Sequence, residues 1–248
     1  MTTPRAAIDS RRTTFVLVHG GGFTSTCWEP LVPLLDGDVV AVDLPGRGRR
    51  PARLAEVRLA DSVAATVTDL RDARGDAVLV GHSMAGITVA HVLNEVPELV
   101  RHAVLVSCTV PPHGASVLGN IDPDVRAAVL AGSGDGTFRV DLTTARDILC
   151  NDMDSEQEEF TLAAMVDEVA AVLDEPVDLT GLWGPTPVTY VRLGADRTLP
   201  PDQQALSLAV ITAGRDDVGV RDIHSGHMVM ISNPQALADV LNEIGGMP

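Results

Sequence analysis

The 248-residue chain has no lysine, and all 18 of its cationic side chains are arginine. That excludes a lysine Schiff base and the phosphate-binding loop that ends in Lys. Against the 18 cations stand 34 carboxylates, giving a net charge of −16 and an isoelectric point near 4.6. Such a balance disfavours polyanions, so no nucleic-acid or anionic-membrane partner is expected. Aromatic residues are also scarce: two Trp, one Tyr and four Phe are too few for base-stacking platforms. Three cysteines (Cys27, Cys108, Cys150) are odd in number, far apart and without a CxxC pair. Neither a disulfide framework nor a zinc cage follows. No apolar run approaches the roughly 18–20 residues that span a bilayer. The run Phe15–Val18, which follows a polar, Arg-containing start, is shorter than the roughly 7–15 residues of a secretion-signal core. The expectation is a soluble, cytoplasmic protein with no metal and no organic cofactor.

What the chain does have is apolar content, 45%, enough for a sizeable core. FVLV (15–18), VVAVDLPG (39–46), AVLV (77–80) and AVLVS (103–107) are short apolar runs, most of them closed by Gly or Pro. Runs of this kind suit strands buried on both faces of a parallel sheet. Helical spacing appears around Trp28, Leu31, Leu34 and Leu35, at Leu59, Val63, Val67 and Leu70, and over 84–96, where Pro97 stops it. Strand and helix thus alternate, which predicts an α/β fold with a mostly parallel central sheet and helices on both faces. The alternation breaks after Val110. From 111 to 180 the chain is acidic and Gly-rich, with helical patches at 124–131, 142–150 and 156–173 and no strong strand. The rhythm returns with PVTYVRLG (187–194) and DVGVRDIH (217–224), then a last helix from Pro234 to Ile244. Residues 1–110 and 181–248 are read as the core, and 111–180 as a helical lid inserted over the sheet.

The sharpest motif is Gly81-His82-Ser83-Met84-Ala85-Gly86, directly after AVLV. A G-x-S-x-(A/G)-G turn between strand and helix strains the Ser backbone and admits only small neighbours. It presents a hydroxyl at the strand's carboxyl end with a helix N-terminus behind it, where developing negative charge is favoured. A serine hydroxyl needs a base, and in this kind of fold the chain order is Ser, acid, His. Among the histidines after Ser83, His113, His224 and His227 are the ones weighed as the base. His113 has no strand before it. His227 lies in a loop past the last strand, at the sheet edge where such folds build their sites; His224, nearer the strand end, is the alternative base. The acid that orients the imidazole must lie between Ser83 and His227. Asp196 follows the strand VTYVRL through Gly194-Ala195, whereas Asp216, Asp217 and Asp222 flank or lie within the last strand, and Asp174 and Asp178 precede the resumed sheet. Backbone N–H groups of Met84 and of the glycine loop after the first strand (His19-Gly20-Gly21-Gly22) are the candidate oxyanion donors. That loop lacks the G-x-G-x-x-G spacing of a dinucleotide site.

Together the segments VLVHGGGFTSTCWEPLVPLL, DLPGRG, VLVGHSMAGITVA, DRTLPPDQQ and HSGHMVMISNPQAL resemble the α/β-hydrolase superfamily. The similarity is to the branch of plant methyl-ester hydrolases, hydroxynitrile lyases and their bacterial relatives; residues 115–180 match only loosely. The resemblance implies an α/β-hydrolase fold with Ser83 as nucleophile, Asp196 as acid, His227 as base, and Gly21 and Met84 as oxyanion donors. Cyanohydrin-cleaving members resemble one another in a Thr after the first-strand His and a Lys after the catalytic His. Here Gly20 and Met228 stand there, which points to the esterase side. Epoxide hydrolases and dehalogenases of this fold carry a carboxylate where Ser83 stands.

The expected function is hydrolysis of a small, largely apolar carboxylic ester through an acyl-enzyme on Ser83. The alternatives are a thioesterase, acyl-transfer or cyclase-type enzyme using the same triad, and a non-catalytic small-molecule binder. Phe23, Trp28 and Met165, with Leu162, are candidates to line the acyl pocket. Arg47, Arg49, Arg50 and Arg53 form a local basic loop, read as solvated or as a contact for a substrate carboxylate or phosphate. Cys27 is read as a small buried hydrophobe. Oligomeric state is not legible.

Overall fold

The apolar runs become strands, and their hydrogen-bonding order explains where the loops converge. The computed structural model describes residues 13–73, 77–120, 126–127, 129 and 133–247. Among these, the strands are β1 (Thr14–Val18), β2 (Asp38–Val42), β3 (Ala77–His82), β4 (Val100–Val106), β5 (Thr137–Phe138), β6 (Glu168–Val169), β7 (Val188–Leu193) and β8 (Val218–Ile223). Six of them form one parallel sheet in the order β2-β1-β3-β4-β7-β8; β5 and β6 form a small antiparallel pair.

β1 and β3 are buried at every position, while the edge strands β2 and β8 are mostly half-exposed. Alternate residues of β1 divide the core into two layers. Val16 and Val18 pack with Val63, Val67 and Leu70 of helix α1 (Leu59–Asp72) and with Ile87, Val89 and Leu93 of α2 (Ala85–Glu95). Phe15 and Leu17 point the other way, onto Trp28, Leu31 and the Leu237, Leu241 and Ile244 stripe of the helix Pro234–Gly245. A fully buried Leu or Phe contributes about 1.5–3 kcal/mol through lost water contact. The two layers therefore hold the sheet from both sides.

From β1 the chain runs outward to β2, then crosses back to β3 on the other flank of β1. This reversal opens a crevice at the carboxyl ends of β1 and β3. Register pairs Val18 with Gly81, so the glycine loop after β1 emerges beside the serine turn after β3.

Several elements differ from expectation. The pattern around Trp28 to Leu35 folds as two 3-10 turns, Ser25–Trp28 and Val32–Leu34, because Pro30 and Pro33 lack the N–H groups a helix needs. The expected helix 156–173 is broken. Its first part is Ser155–Ala164, capped by Asp154 at the Glu156 and Gln157 N–H groups. After Met165 the chain extends into β6, because the Val166 N–H bonds the Gly22 carbonyl (2.8 Å), and then makes the helical turn Ala170–Leu173. The helix expected at 124–131 lies largely outside the described residues. Residues 111–180 contribute no strand to the six-stranded sheet among the described residues. No helix among them is long and apolar enough to cross a membrane.

Candidate active site

Ser83 leaves β3 with φ +54°, in the left-handed region that β-carbon-bearing residues avoid. Its backbone is pinned on both sides: the Ser83 N–H donates to the Val106 carbonyl (3.1 Å), and the Ser83 carbonyl accepts from Gly86 (3.2 Å) and Thr109 (3.1 Å). Close packing explains the small neighbours. A Cβ on Gly86 would lie 2.8 Å from Cys108 Cβ, and one on Gly20 would lie 2.9 Å from Ser83 Cβ.

The Ser83 hydroxyl donates to His227 Nε2 (3.0 Å), and His227 Nδ1–H donates to Asp196 Oδ2 (2.7 Å). His227 and Asp196 are both buried. Asp196 Oδ1 accepts the N–H groups of Thr198 and Leu199 (2.8 Å each), while Oδ2 also accepts the Ser107 hydroxyl (2.7 Å). Burial alone would raise the Asp196 pKa. The charge and hydrogen bond of His227, with the Ser107 and Leu199 donors, outweigh it and hold the carboxyl below the usual range. His224 is exposed just past β8, and the exposed Asp222, Asp217 and Asp174 pair with Arg192, the buried Arg215 and Arg126. Asp216 is exposed, and Asp178 faces Thr180.

Neither the Gly21 nor the Met84 N–H donates to a protein acceptor among the described residues. Both residues border a cavity of about 240 Å³ that opens on Ser83 and His227. Its walls are chiefly apolar, including Phe23, Val117, Phe138, Leu149, Met165 and Leu173. Trp28 is not among them, contrary to expectation. It is fully buried and edge-on to His82, 6.3 Å between ring centroids, in the core layer that also holds Phe15, Leu17 and Leu31. Leu162 lines a separate surface groove instead.

Of the basic loop, Arg49 and Arg53 are solvated as expected, Arg50 is partly exposed and only Arg47 is buried. Arg49 pairs with Asp43, Arg50 with Asp69, and Arg53 with Glu56. Arg47 is buried against Glu168 of β6, and burial lowers its pKa to about 10. Cys27 is buried, and its surroundings push the thiol pKa up, as suits a small apolar filler.

Four neighbours of these residues do not figure among the candidates read from the sequence. Ser107, at φ +42°, holds Asp196. Asn151 donates to the Ala195 carbonyl (3.0 Å) beside Asp196. Asp152 accepts from the Ser225 hydroxyl (2.9 Å), the Gly226 N–H (2.5 Å) and the Ser232 hydroxyl (3.0 Å), in the loop that carries His227. Glu168 accepts the Gly22 N–H (2.9 Å) in the glycine loop. For Ser107, a polar residue closing an apolar strand at the sheet's carboxyl edge is a usable hint; the other three act through long-range pairings without a local motif.

A family model described as the alpha/beta hydrolase family matches residues 15–240. The chain is 26% identical over 255 residues to the putative methylesterase 14, chloroplastic, of Arabidopsis thaliana, covering 94% of this chain and 72% of that protein. It is 25% identical over 258 residues to polyneuridine aldehyde esterase of Rauvolfia serpentina, covering 93% and 94%. Among solved structures, an extracellular alpha/beta-hydrolase from a Paenibacillus species superposes with a TM-score of 0.84 at 21% identity, over 95% of this chain and 100% of that one.

Proposed function

The chain belongs to the alpha/beta hydrolase family, and on that premise we propose that it is a serine hydrolase cleaving a small, largely apolar carboxylic ester. The observation that carries the reading is the unbroken hydrogen-bond chain from Asp196 through His227 to Ser83, opening on an apolar cavity. The esterase names of its relatives agree with it.

In this reading His227 Nε2 takes the Ser83 proton as the oxygen attacks the ester carbonyl. Asp196 fixes the Nδ1–H tautomer and stabilises the imidazolium as it forms. The Gly21 and Met84 N–H groups, free of protein acceptors, receive the developing oxyanion. His227 then returns its proton to the leaving alkoxide. Water, deprotonated by the same imidazole, releases the acid and regenerates the Ser83 hydroxyl. No step calls for a metal or organic cofactor. At about 240 Å³ the cavity lies below the roughly 300–1,000 Å³ usual for ligand pockets, which supports a small acyl or alcohol group. Phe23 and Met165 contribute to its apolar wall.

Residues 1–110 and 181–248 then act as the hydrolase core, with 111–180 as its lid. Three buried cysteines without a disulfide are compatible with a reducing compartment, and we propose the cytoplasm. Cyanohydrin cleavage fits poorly, because buried Met228 stands where a lysine would assist and Gly20 has no room for a side chain.

The test is a panel of short p-nitrophenyl esters and matching thioesters against the parent and Ser83→Ala, with fluorophosphonate labelling of both. The parent should turn over esters faster than thioesters and take up one label. The variant should lose roughly 10⁴–10⁶ in rate and remain unlabelled. Faster thioester turnover would move the reading to acyl transfer, and an inert, unlabelled parent would make it a binder.

A further inference from the structure

The glycine loop is held from the segment 111–180 by a buried charge that the reaction itself does not consume. Glu168, on β6, is 2% exposed, and its partner Arg47, in the loop after β2, is 4% exposed. The two form an ion pair, and the Val169 N–H also bonds the carboxylate (2.7 Å). The other carboxylate oxygen, Oε2, accepts the Gly22 N–H at 2.9 Å. From the same stretch the Val166 N–H donates to the Gly22 carbonyl at 2.8 Å, so both polar atoms of Gly22 are gripped by one extended segment. Gly22 stands at φ +74°, and the grip acts on the residue directly after Gly21. A Cβ on Gly21 would meet Glu168 Oε2 at 3.3 Å and Met84 Sδ at 3.5 Å, so the carboxylate lies against the very loop that presents the oxyanion donor.

Burying an ion pair is a poor source of stability, since desolvation offsets most of the attraction. A bare carboxylate beside a forming oxyanion would also raise the barrier by like-charge repulsion. Arg47 removes that objection by neutralising Glu168 from behind, leaving its free oxygen to hold the Gly22 amide.

We propose that Glu168 is a positioning residue for the oxyanion loop, with Arg47 as its charge partner, so that docking of residues 166–169 and a competent oxyanion site are one event. The inference rests on the hydrolase reading above. It locates the effect in the transition state: the oxyanion exists only there, so kcat should change and KM should not.

The experiment compares the parent with R47M/E168M, which removes both charges; R47M/E168Q, which keeps an oxygen acceptor for Gly22; and E168D, which keeps the charge but withdraws it by one methylene. Active sites are counted by fluorophosphonate titration, kcat and KM are measured on the best ester, and affinity is measured for a trifluoromethyl ketone that forms a tetrahedral adduct. R47M/E168M and E168D should lose about 10- to 100-fold in kcat per titrated site with KM within about two-fold, against the roughly 10²–10³ that follows deletion of a whole oxyanion donor. Ketone affinity should fall by the same factor, and R47M/E168Q should recover most of the loss. Folded E168D with parental kcat, or losses confined to KM, would overturn the assignment. Should R47M/E168M fail to fold, E168D decides. A parent that takes no label, or a Ser83→Ala protein as active as the parent, would instead defeat the hydrolase reading and not this inference alone.

Discussion

The imidazole of His82 lies 4.6 Å from that of His227, tilted at 50°, and donates its Nε2 hydrogen to the His227 carbonyl at 2.9 Å. His82 thus props the backbone of His227 while its other ring nitrogen, Nδ1, is buried without a hydrogen-bond partner among the described residues. Burial, then the neighbouring His227, lower its pKa to about 3. His19 is neutral in the same way: it donates Nδ1–H to the Gly20 carbonyl and accepts the Leu44 N–H, and burial with Arg47 nearby lowers its pKa to about 4.

These two rings make stability depend on pH above the carboxylate range. Unfolded, each histidine takes up a proton near pH 6.5; folded, neither does until about pH 4 or 3. The unfolded state therefore binds more protons as pH falls, and folding stability drops with it. In urea unfolding between pH 6.5 and 5 these two rings should together cost close to two protons' worth near pH 5.5, at about 1.4 kcal/mol per pH unit for each fully engaged group, with His102, whose pKa burial also lowers to about 4, adding in the same direction. A flat profile across that window would contradict two buried neutral rings.

Ser107 carries two effects that separate by substitution. Its hydroxyl holds Asp196, and its positive φ is a strained conformation for any residue with a Cβ. Ser107→Ala loses the hydrogen bond and keeps the strain, whereas Ser107→Gly loses the bond and relieves the strain. The glycine variant should be more stable than the alanine variant by about 1 kcal/mol in urea unfolding, against the usual penalty for added glycine entropy. Both should lose ester turnover to a similar extent. An alanine variant more stable than the glycine one would show that the turn is not strained.

Asp152 ties the loop of the base through Ser225, Gly226 and Ser232. Because the carboxylate is itself exposed, its loss should be mild in stability, about 1 kcal/mol for Asp152→Ala, as water replaces part of the bonding. The kinetic effect should be of similar size: a roughly 3- to 10-fold fall in kcat with KM unchanged, partly restored in Asp152→Asn. Equal effects on kcat and KM would point to a pocket role instead.

Gly20 is a steric test of the crevice. An added methyl would sit 2.9 Å from Ser83 Cβ and 3.0 Å from His82 Nδ1, and neither neighbour is the free end of a flexible chain. Gly20→Ala should cost about 1–3 kcal/mol and slow phosphonate labelling of Ser83 at least ten-fold. Labelling at the parental rate would mean that the loop relaxes away.

The sheet was legible because its central strands are buried on both faces, which leaves FVLV and AVLV no polar positions and ends each run at a turn. Ser83, Asp196 and His227 were reachable for a related reason. Each lies just beyond a strand's carboxyl end, and chain order with strand spacing brings together residues far apart in the chain. Trp28 was misread because an aromatic near a glycine loop is equally at home in the pocket or under it, and two-layer packing took it under. The break at Met165 and the burial of Arg47 were invisible for a different reason. Both are decided by partners more than a hundred residues away, at Gly22 and Glu168, and helical periodicity carries no trace of them.

Asn151, Asp152 and Glu168 belong to a segment outside the sheet, yet each reaches back to a loop beside the hydrogen-bonded triad or its glycine neighbour. Grafting a foreign segment between positions 111 and 180 to change substrate preference would thus discard the anchors along with the wall. A chimaera that retains those three side chains at their present spacing should keep its turnover while its selectivity changes; one that discards them would inherit a new pocket over a slackened machine.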